Sequence, residues 1–143
     1  MLDYVALYSD GGARGNPGPA AIAFLVVTKT GRVIKAESRL VGKATNNQAE
    51  YHALIAALEF AKSIKVKEVT CHLDSELVGR QLKGEYSVKN SELLKLWSRA
   101  RELGGGFKKL TFVNVPRSNL YISRADELVN EALDEEERKR PLA

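Results

Sequence analysis

The chain has 143 residues, of which 44% are hydrophobic and 28% charged, which fits one globular domain with its own core. The single cysteine excludes an intrachain disulfide and suits a reducing compartment. No apolar run approaches the roughly 20 residues that a membrane span requires, and no N-terminal segment has the form of a secretion signal. We therefore expect one domain over residues 1–143, located in the cytoplasm and without a membrane as partner.

The net charge of the chain is +4 at neutral pH. A mildly basic domain is compatible with a polyanionic partner such as nucleic acid, because lysine and arginine neutralise phosphates. Ordinary solubility charge explains the same value, so charge alone does not decide between these two interpretations.

The first third of the chain predicts three strands. Apolar and β-branched residues fill positions 4–10, 20–29 and 33–41, and glycines interrupt them at Gly11-Gly12 and at Gly31. Strands joined by short connections of this kind are typically antiparallel neighbours. We therefore predict an antiparallel meander whose first strand ends at the acid that precedes Gly11.

A helix is predicted after the third strand. Leu54, Ala57 and Leu58 recur at the spacing of one helical face. Thr45 and Gln48 match the capping box that opens a helix, in which each side chain bonds to the backbone of the other residue. The helix is therefore expected to begin directly after Thr45.

The remaining elements alternate between strand and helix. A fourth strand is predicted over residues 68–73, a short helix from about 75 to 84, and a longer helix that ends at the glycines 104–106. A fifth strand over residues 110–115 precedes the last helix, which is predicted to begin near residue 123.

Strand–helix–strand units imply parallel pairing with right-handed crossovers. We therefore predict an α/β fold with a mixed five-stranded sheet, three antiparallel strands followed by parallel strands, flanked by about four helices. Residues 134–143 form a charged tail, which we expect to be a solvated helix end with a frayed terminus; contact with a partner is the alternative.

Four carboxylates occupy positions that this fold would bring together. Asp10 and Asp74 end the first and fourth strands, and sites in α/β sheets form beyond the carboxyl ends of the strands. If these two strands are parallel neighbours, both carboxylates point into one crevice. Glu50 lies on the apolar face of the first helix, where an unpaired carboxylate is costly. Asp126 is predicted to lie in the first turn of the last helix, directly after the fifth strand.

Each of these acids also has a structural explanation. Asp10 could be a turn residue, Asp74 a helix cap, Asp126 a partner of the helix dipole and Glu50 the partner of a lysine or arginine. Together, however, four acids repel one another unless cations neutralise them, and no cationic partner is evident in their motifs. Oxygen ligands without histidine or cysteine favour Mg²⁺ or Mn²⁺, so the set predicts a two-metal site for phosphoryl chemistry.

Four segments resemble the motifs of type 1 ribonucleases H, in the same order and at matching spacing across essentially the whole chain. They are Ser9-Asp10-Gly11-Gly12 with Gly15-Asn16-Pro17-Gly18, Thr45-Asn46-Asn47-Gln48-Ala49-Glu50, Asp74-Ser75, and Arg124-Ala125-Asp126-Glu127-Leu128. The resemblance implies the ribonuclease H-like fold. It also implies an endoribonuclease that hydrolyses the RNA strand of RNA–DNA hybrids and leaves 5′-phosphate and 3′-hydroxyl ends.

The same resemblance assigns the catalytic and metal-binding roles to Asp10, Glu50, Asp74 and Asp126. It implies two Mg²⁺ ions, for which Mn²⁺ could substitute, with Asp10 bridging both ions. Glu50 and Asp74 would help to hold one ion and Asp126 the other. One ion would activate the attacking water, and the other would stabilise the leaving 3′ oxygen.

Seven further positions match the family's contacts to the hybrid: Gly11, Gly12, Asn16, Thr45, Asn46, Asn47 and Glu76. The two glycines would let the backbone approach the RNA closely, and Thr45 and Asn16 would hold a DNA phosphate. Glu76 stands where many members have glutamine. A carboxylate can accept a hydrogen bond from a 2′-hydroxyl but cannot donate one to a base edge.

Two segments depart from well-known members of the family. The loop over residues 115–123 lacks their histidine; Arg117 in this loop could contact a phosphate or the leaving product but is a poor proton shuttle. The segment 83–89 is short and weakly basic where bacterial members often have a lysine-rich protrusion, so we expect lower hybrid affinity. Tyr86 in this segment could stack on a deoxyribose or be an ordinary loop aromatic.

Two other functions stay open on the sequence alone. A nuclease of the same fold could also, or preferentially, cut double-stranded RNA, and a module of this fold could bind hybrids without cutting them. The presence of all four acids argues against the second alternative. We expect a monomer whose partner is an RNA–DNA hybrid.

Overall fold

The computed structural model describes residues 2–140, and within that range five strands form one sheet against which four helices pack. The strands are β1 (Tyr4–Ala13), β2 (Gly18–Val27), β3 (Val33–Ala44), β4 (Glu68–Leu73) and β5 (Lys109–Asn114). The helices are α1 (Asn46–Ser63), α2 (Glu76–Leu82), α3 (Ser91–Gly104) and α4 (Leu120–Lys139). No helix among these residues is long and apolar enough to cross a membrane.

The strand order in the sheet is β3-β2-β1-β4-β5. β2 pairs antiparallel with both β1 and β3, whereas β4 pairs parallel with both β1 and β5. This arrangement confirms the predicted mixed sheet, with an antiparallel meander followed by parallel strands. β1 is central, because it joins the antiparallel half of the sheet to the parallel half.

The first strand is longer than predicted. β1 continues past Asp10 to Ala13, and its pairing with β2 includes Gly11 opposite Ile22. The consecutive glycines Gly11 and Gly12 predict a turn at this point. Glycine can also lie within a β-strand, however, where another backbone approaches closely. Asp10 therefore lies inside the strand rather than at its end.

The last helix begins three residues earlier than predicted. Asn119 is its N-cap, and the Asn119 side chain accepts hydrogen bonds from the backbone N–H groups of Tyr121 and Ile122. Leu120 at the start of the helix is 83% exposed, so the apolar pattern does not mark this start. Asp126 consequently lies in the second turn of α4, where the helix dipole offers a carboxylate less stabilisation.

Much of the charged tail is helical and held against the sheet. α4 continues to Lys139, and Arg14, which follows β1, forms ion pairs with Asp134 (2.7 Å) and Glu137 (2.8 Å). These residues form the expected helix end, and the ion pairs attach it to the β1–β2 connection. Residues 141–143 of the predicted tail lie outside the described residues.

Two apolar layers cover the two faces of the sheet. Alternate residues of β2 belong to different layers: Ile22 and Phe24 pack with α1, whereas Ala23 and Leu25 pack with α4. The period of two in a strand sends neighbouring side chains to opposite faces, and burial of both faces explains why β2 is almost continuously apolar.

α1 packs unusually closely on β1. A Cβ atom built at Gly11 would overlap the backbone carbonyl oxygen of Ala49, so this approach requires glycine. The start of α1 is fixed by the predicted capping box: the N–H of Gln48 donates to Thr45 Oγ1 (3.1 Å), and the N–H of Thr45 donates to Gln48 Oε1 (2.9 Å). These contacts place Glu50, the next residue after Ala49, directly against the strand.

We predict that Gly11→Ala lowers the melting temperature by about 10 °C, because overlap with a backbone that cannot yield costs roughly 3 kcal/mol. Gly12→Ala is the matched control, since a Cβ atom there would meet nothing closer than Val129 Cγ1 at 3.8 Å. Thermal unfolding of the two variants beside the parent protein measures the difference. Equal melting temperatures for both variants would contradict the close packing of α1 on β1.

Candidate active site

Three carboxylates converge at the carboxyl ends of the parallel strands β1 and β4. Asp10 in β1, Glu50 in α1 and Asp74 directly after β4 each offer an oxygen, and these oxygens lie within 4.8 Å of one another. The parallel register of β1 and β4 pairs Tyr8 with His72. Asp10 and Asp74, each two residues further along the chain, therefore lie at the same end of the sheet. The close packing of α1 adds the third carboxylate.

The cluster is buried enough to change how its acids ionise. Asp10 is 2% exposed and Glu50 is 8% exposed. Burial, followed by the negative charge of Asp74, raises the pKa of Asp10 to about 7. Burial and the charges of Asp10 and Asp74 raise the pKa of Glu50 well above its ordinary value. Without a cation, the folded protein therefore disfavours full ionisation of the cluster.

Two oxygen atoms of the cluster are buried without a hydrogen-bond partner. They are Oδ1 of Asp10 and Oδ1 of Asp74, for which the described part of the chain supplies no donor. Buried polar atoms are normally satisfied, so these two oxygens need a ligand. Carboxylate oxygens without histidine or cysteine match the ligand preference of Mg²⁺ or Mn²⁺, and the residues present therefore fit a divalent cation.

The fourth acid is connected to the cluster through Arg117. The Arg117 guanidinium contacts Asp74 Oδ2 through Nη2 (2.8 Å) and Asp126 Oδ1 through Nη1 (2.9 Å). The acid motifs themselves contain no cationic partner for these carboxylates, and the loop before α4 supplies one from outside them. Asp126 itself lies outside the group of three converging oxygens.

A concave surface of about 300 Å³ adjoins the acids and collects part of the predicted substrate-binding set. Gly12 and Asn46 line it together with Asp10, Glu50 and Asp126. The positions of the two glycines separate their roles. A Cβ atom at Gly12 would make only an ordinary contact, whereas Gly11 is buried against α1, so the packing of α1 requires Gly11 independently of any contact with RNA.

The other predicted contacts of the glycine turn form a hydrogen-bonded corner. Asn16 Oδ1 accepts from the backbone N–H of Asn46, and Asn46 Oδ1 accepts from the backbone N–H of Ala13, both at 2.9 Å. Asn16 and Asn46 are exposed, whereas Asn47 is half-buried. Thr45 uses its hydroxyl in the capping box. This corner attaches the β1–β2 connection to the start of α1 beside the acids.

Glu76 and Tyr86 lie in a separate network centred on Arg80. The Arg80 guanidinium contacts Glu76 (2.9 Å) and Glu85 (3.3 Å), and lies 5.3 Å from the centre of the Tyr86 ring. Sequence reasoning did not single out Arg80, although the spacing of four residues from Glu76 is the signal of a helical ion pair. Tyr86 is 46% exposed, so its ring is partly free for another contact.

Sequence reasoning also missed Asn114, the last residue of β5. The Asn114 amide donates to the carbonyl oxygens of Ser75 (2.9 Å) and Leu73 (3.4 Å), on either side of Asp74. About forty residues separate the partners, and no local pattern indicates such a contact.

We predict that, without divalent metal, Asp10→Asn has a higher melting temperature than the parent protein, by a margin that grows between about pH 4 and about pH 7. Because the pKa of Asp10 is raised from 3.8 to about 7, the folded protein keeps a proton in this range that the unfolded chain has released. The folded state therefore loses stability as the pH rises, and asparagine removes this loss. Thermal unfolding in EDTA at several pH values measures the margin.

Asp3→Asn, the same substitution at an exposed position before β1, is the control, and the margin of Asp10→Asn is measured relative to it at each pH. A constant margin for Asp10→Asn would contradict the raised pKa.

Comparison with known proteins identifies the family. Residues 8–132 match the family model described as reverse transcriptase-like. The chain is 44% identical over 131 residues to Ribonuclease HI of Halobacterium salinarum, covering 92% of this chain and 65% of that protein. It is 42% identical over 132 residues to a bifunctional protein of Mycobacterium tuberculosis, covering 91% of this chain and 35% of that protein. The chain thus spans just under two thirds of the first relative and about a third of the second.

Solved structures agree with these matches. The crystal structure of RNase H1 from Halobacterium salinarum has a TM-score of 0.89 at 44% identity, covering 92% of this chain and 98% of that one. LC11-RNase H1, solved in complex with an RNA/DNA hybrid, has a TM-score of 0.86 at 40% identity, covering 92% and 98% of the two chains. The fold, the order of its acids and these similarities lead to one conclusion: the chain belongs to the type 1 ribonuclease H family.

Proposed function

We propose that the protein is an endoribonuclease that hydrolyses the RNA strand of RNA–DNA hybrids. The observation that carries this proposal is the convergence of Asp10, Glu50 and Asp74 within 4.8 Å, with two of their buried oxygens lacking a partner. The substrate class is supported by LC11-RNase H1, a relative that was solved in complex with an RNA/DNA hybrid.

In this proposal the four acids would hold two divalent cations, Mg²⁺ by preference, and Asp10 would be a ligand shared between them. When bound, such ions supply an activated water and stabilise the leaving oxygen of a phosphodiester. The arrangement of the acids supports this division, because Asp10 belongs to the cluster with Glu50 and Asp74, and Asp126 lies apart from that cluster. Water attacks phosphorus and forms the new P–O bond as the P–O3′ bond breaks, and the leaving 3′ oxygen takes up a proton from solvent, which gives 5′-phosphate and 3′-hydroxyl ends.

Arg117 acts in this proposal through its charge. Its guanidinium contacts both Asp74 and Asp126, and so holds these carboxylates in a defined relation. An arginine stays protonated at any pH at which the protein is folded, so Arg117 cannot take a proton from water or deliver one as a histidine does. We therefore assign it positioning of the two acids and attraction of phosphate.

The hybrid would lie across the surface that Gly12, Asn46 and the acids line, with its backbone held by the corner that Asn16 and Asn46 form. Thr45 and Asn47 flank this corner at the start of α1. Glu76, at the start of α2, is paired with Arg80, and this ion pair offsets its negative charge. The carboxylate can therefore lie near the phosphates of a nucleic acid. We propose that the protein acts as a monomer and in the cytoplasm.

We predict a ranking of activity losses in cleavage of a labelled RNA–DNA hybrid at saturating Mg²⁺. Asp10→Asn and Asp126→Asn should lower the initial rate by roughly a thousand-fold or more, because a lost metal ligand removes several kcal/mol of transition-state stabilisation. Arg117→Ala should lower it by about ten-fold or less, since one exposed charge contact is worth about 1 kcal/mol.

Glu127→Gln is the matched control, because Glu127 is the exposed neighbour of Asp126 and pairs only with Arg124 among the residues described. It should retain the parental rate. Full activity of Asp10→Asn would contradict the metal site, and an Arg117→Ala variant as inactive as Asp126→Asn would mean that Arg117 takes part in the chemistry.

We further predict that substrate choice depends on several consecutive 2′-hydroxyls. Contacts in the minor groove recognise the 2′-hydroxyl, so a duplex with a run of four ribonucleotides should be cut well and one with a single ribonucleotide poorly. Parallel assays on double-stranded RNA and double-stranded DNA complete the comparison. Efficient cleavage at the single ribonucleotide would indicate a different class of enzyme, and faster cleavage of double-stranded RNA than of hybrid would overturn the proposed substrate.

A further inference from the structure

The segment that carries Asp74 is held by a residue outside every acid motif. Asn114 ends β5, one of the two edge strands of the sheet, and its Nδ2 donates to the carbonyl oxygens of Ser75 (2.9 Å) and Leu73 (3.4 Å). The N–H of the next residue, Val115, also donates to the carbonyl oxygen of Leu73 (3.0 Å). The carbonyl groups of the residues before and after Asp74 are therefore attached to the end of β5.

The opposite side of the Asn114 amide is enclosed by α2. A Cβ atom built at Gly79 would overlap Asn114 Oδ1, so a glycine at this helical position makes room for the amide. Gly79 is buried and its N–H donates to the carbonyl oxygen of Ser75 (3.0 Å). Glycine is unfavourable inside a helix, and here its presence has a steric cause.

Asp74 has little else to fix it. It lies between β4 and α2, outside the ladder of the sheet and before the helix. Its Oδ2 contacts the exposed Arg117, and its buried Oδ1 has no donor in the described part of the chain. Apart from the Arg117 contact, the position of this carboxylate therefore depends on the backbone on either side of it.

We propose that Asn114, with the space that Gly79 provides, is a positioning residue that fixes Asp74 for cation binding. This inference rests on the proposed function, in which Asp74 is a metal ligand. Both carbonyl oxygens keep a backbone donor when the Asn114 amide is removed, from Val115 and Gly79 respectively. Removal of the amide should therefore let the segment between β4 and α2 move, but it leaves no buried carbonyl group without a donor. We expect metal affinity to fall more than stability.

The test compares the full-length parent protein with Asn114→Leu and Gly79→Ala. Asn114→Leu removes the donor and keeps the branched shape of the side chain. Gly79→Ala keeps the donor but displaces the amide, and alanine favours the helix, so any loss of metal binding in this variant does not come from a weaker α2. Calorimetric titration with MnCl₂ and MgCl₂ in the absence of nucleic acid measures metal affinity, and thermal unfolding measures stability.

We expect both variants to bind Mn²⁺ about ten-fold more weakly, the lower end of what groups supporting a metal ligand contribute. In hybrid cleavage, the Mg²⁺ concentration that gives half-maximal rate should rise by a similar factor. The KM for the hybrid should change less than about two-fold, and excess Mg²⁺ should restore kcat, because the acids themselves remain. A residue with only a structural role would not shift the metal dependence.

Tyr4→Phe is the matched control, because it removes a half-buried hydrogen bond between β1 and β4 at the other end of these strands, Tyr4 Oη to Thr70 Oγ1 (3.0 Å). It should lower the melting temperature without changing metal affinity. Parental metal affinity in both Asn114→Leu and Gly79→Ala would overturn the inference while the parent protein still cuts hybrid. A parent protein that neither binds Mn²⁺ nor cuts hybrid would instead overturn the proposed function, and this inference with it.

Discussion

The close packing of α1 on β1 at Gly11 is the contact on which the rest of the site depends. The carbonyl group of Ala49 occupies the space that any other side chain at Gly11 would need. Because Glu50 follows Ala49, this contact brings its carboxylate within reach of Asp10, the residue before Gly11. The same glycine is thus responsible for helix packing and for the proximity of two acids that repel each other.

Bringing these acids together costs free energy that the apolar layers and the helix cap must offset. Burial raises the pKa values of Asp10 and Glu50, and the folded protein without a cation partly relieves the repulsion by retaining protons. Among the residues described, Arg117 is the cation that pairs with Asp74 and Asp126, but it is 61% exposed and its contribution is screened by solvent. Divalent cations are stronger neutralising groups, so their binding should be coupled to the stability of the fold.

The features that could be predicted from the sequence are those with a local pattern. The capping box is visible because Thr45 and Gln48 are three residues apart, and Glu50 stands out because a charged residue interrupts an apolar helical face. The parallel orientation of β4 follows from a general rule for strand–helix–strand units, but its place beside β1 does not. These patterns, with the antiparallel meander, predict the mixed sheet, and they bring Asp10 and Asp74 together only if β1 and β4 are neighbours, as the structure shows.

The features that could not be predicted depend on contacts between distant segments. β1 continues through Gly11 because β2 pairs with it there, and the start of α4 is hidden by the exposed Leu120. Arg117 could be noted as a loop arginine, but its contact with two acids depends on where the loop lies in three dimensions.

Asn114 and Gly79 show why the motifs are an incomplete description of the site. Each acid lies on a different element, and the position of each is determined by what packs behind that element. For Glu50 the packing residue, Gly11, is itself part of a motif. For Asp74 the supporting side chain comes from β5 and the space for it comes from α2, and neither residue belongs to an acid motif. A chain of this family could therefore keep all four acids and still bind metal weakly if its equivalents of this pair were incompatible, because affinity depends on the distances between ligands as well as on their identity.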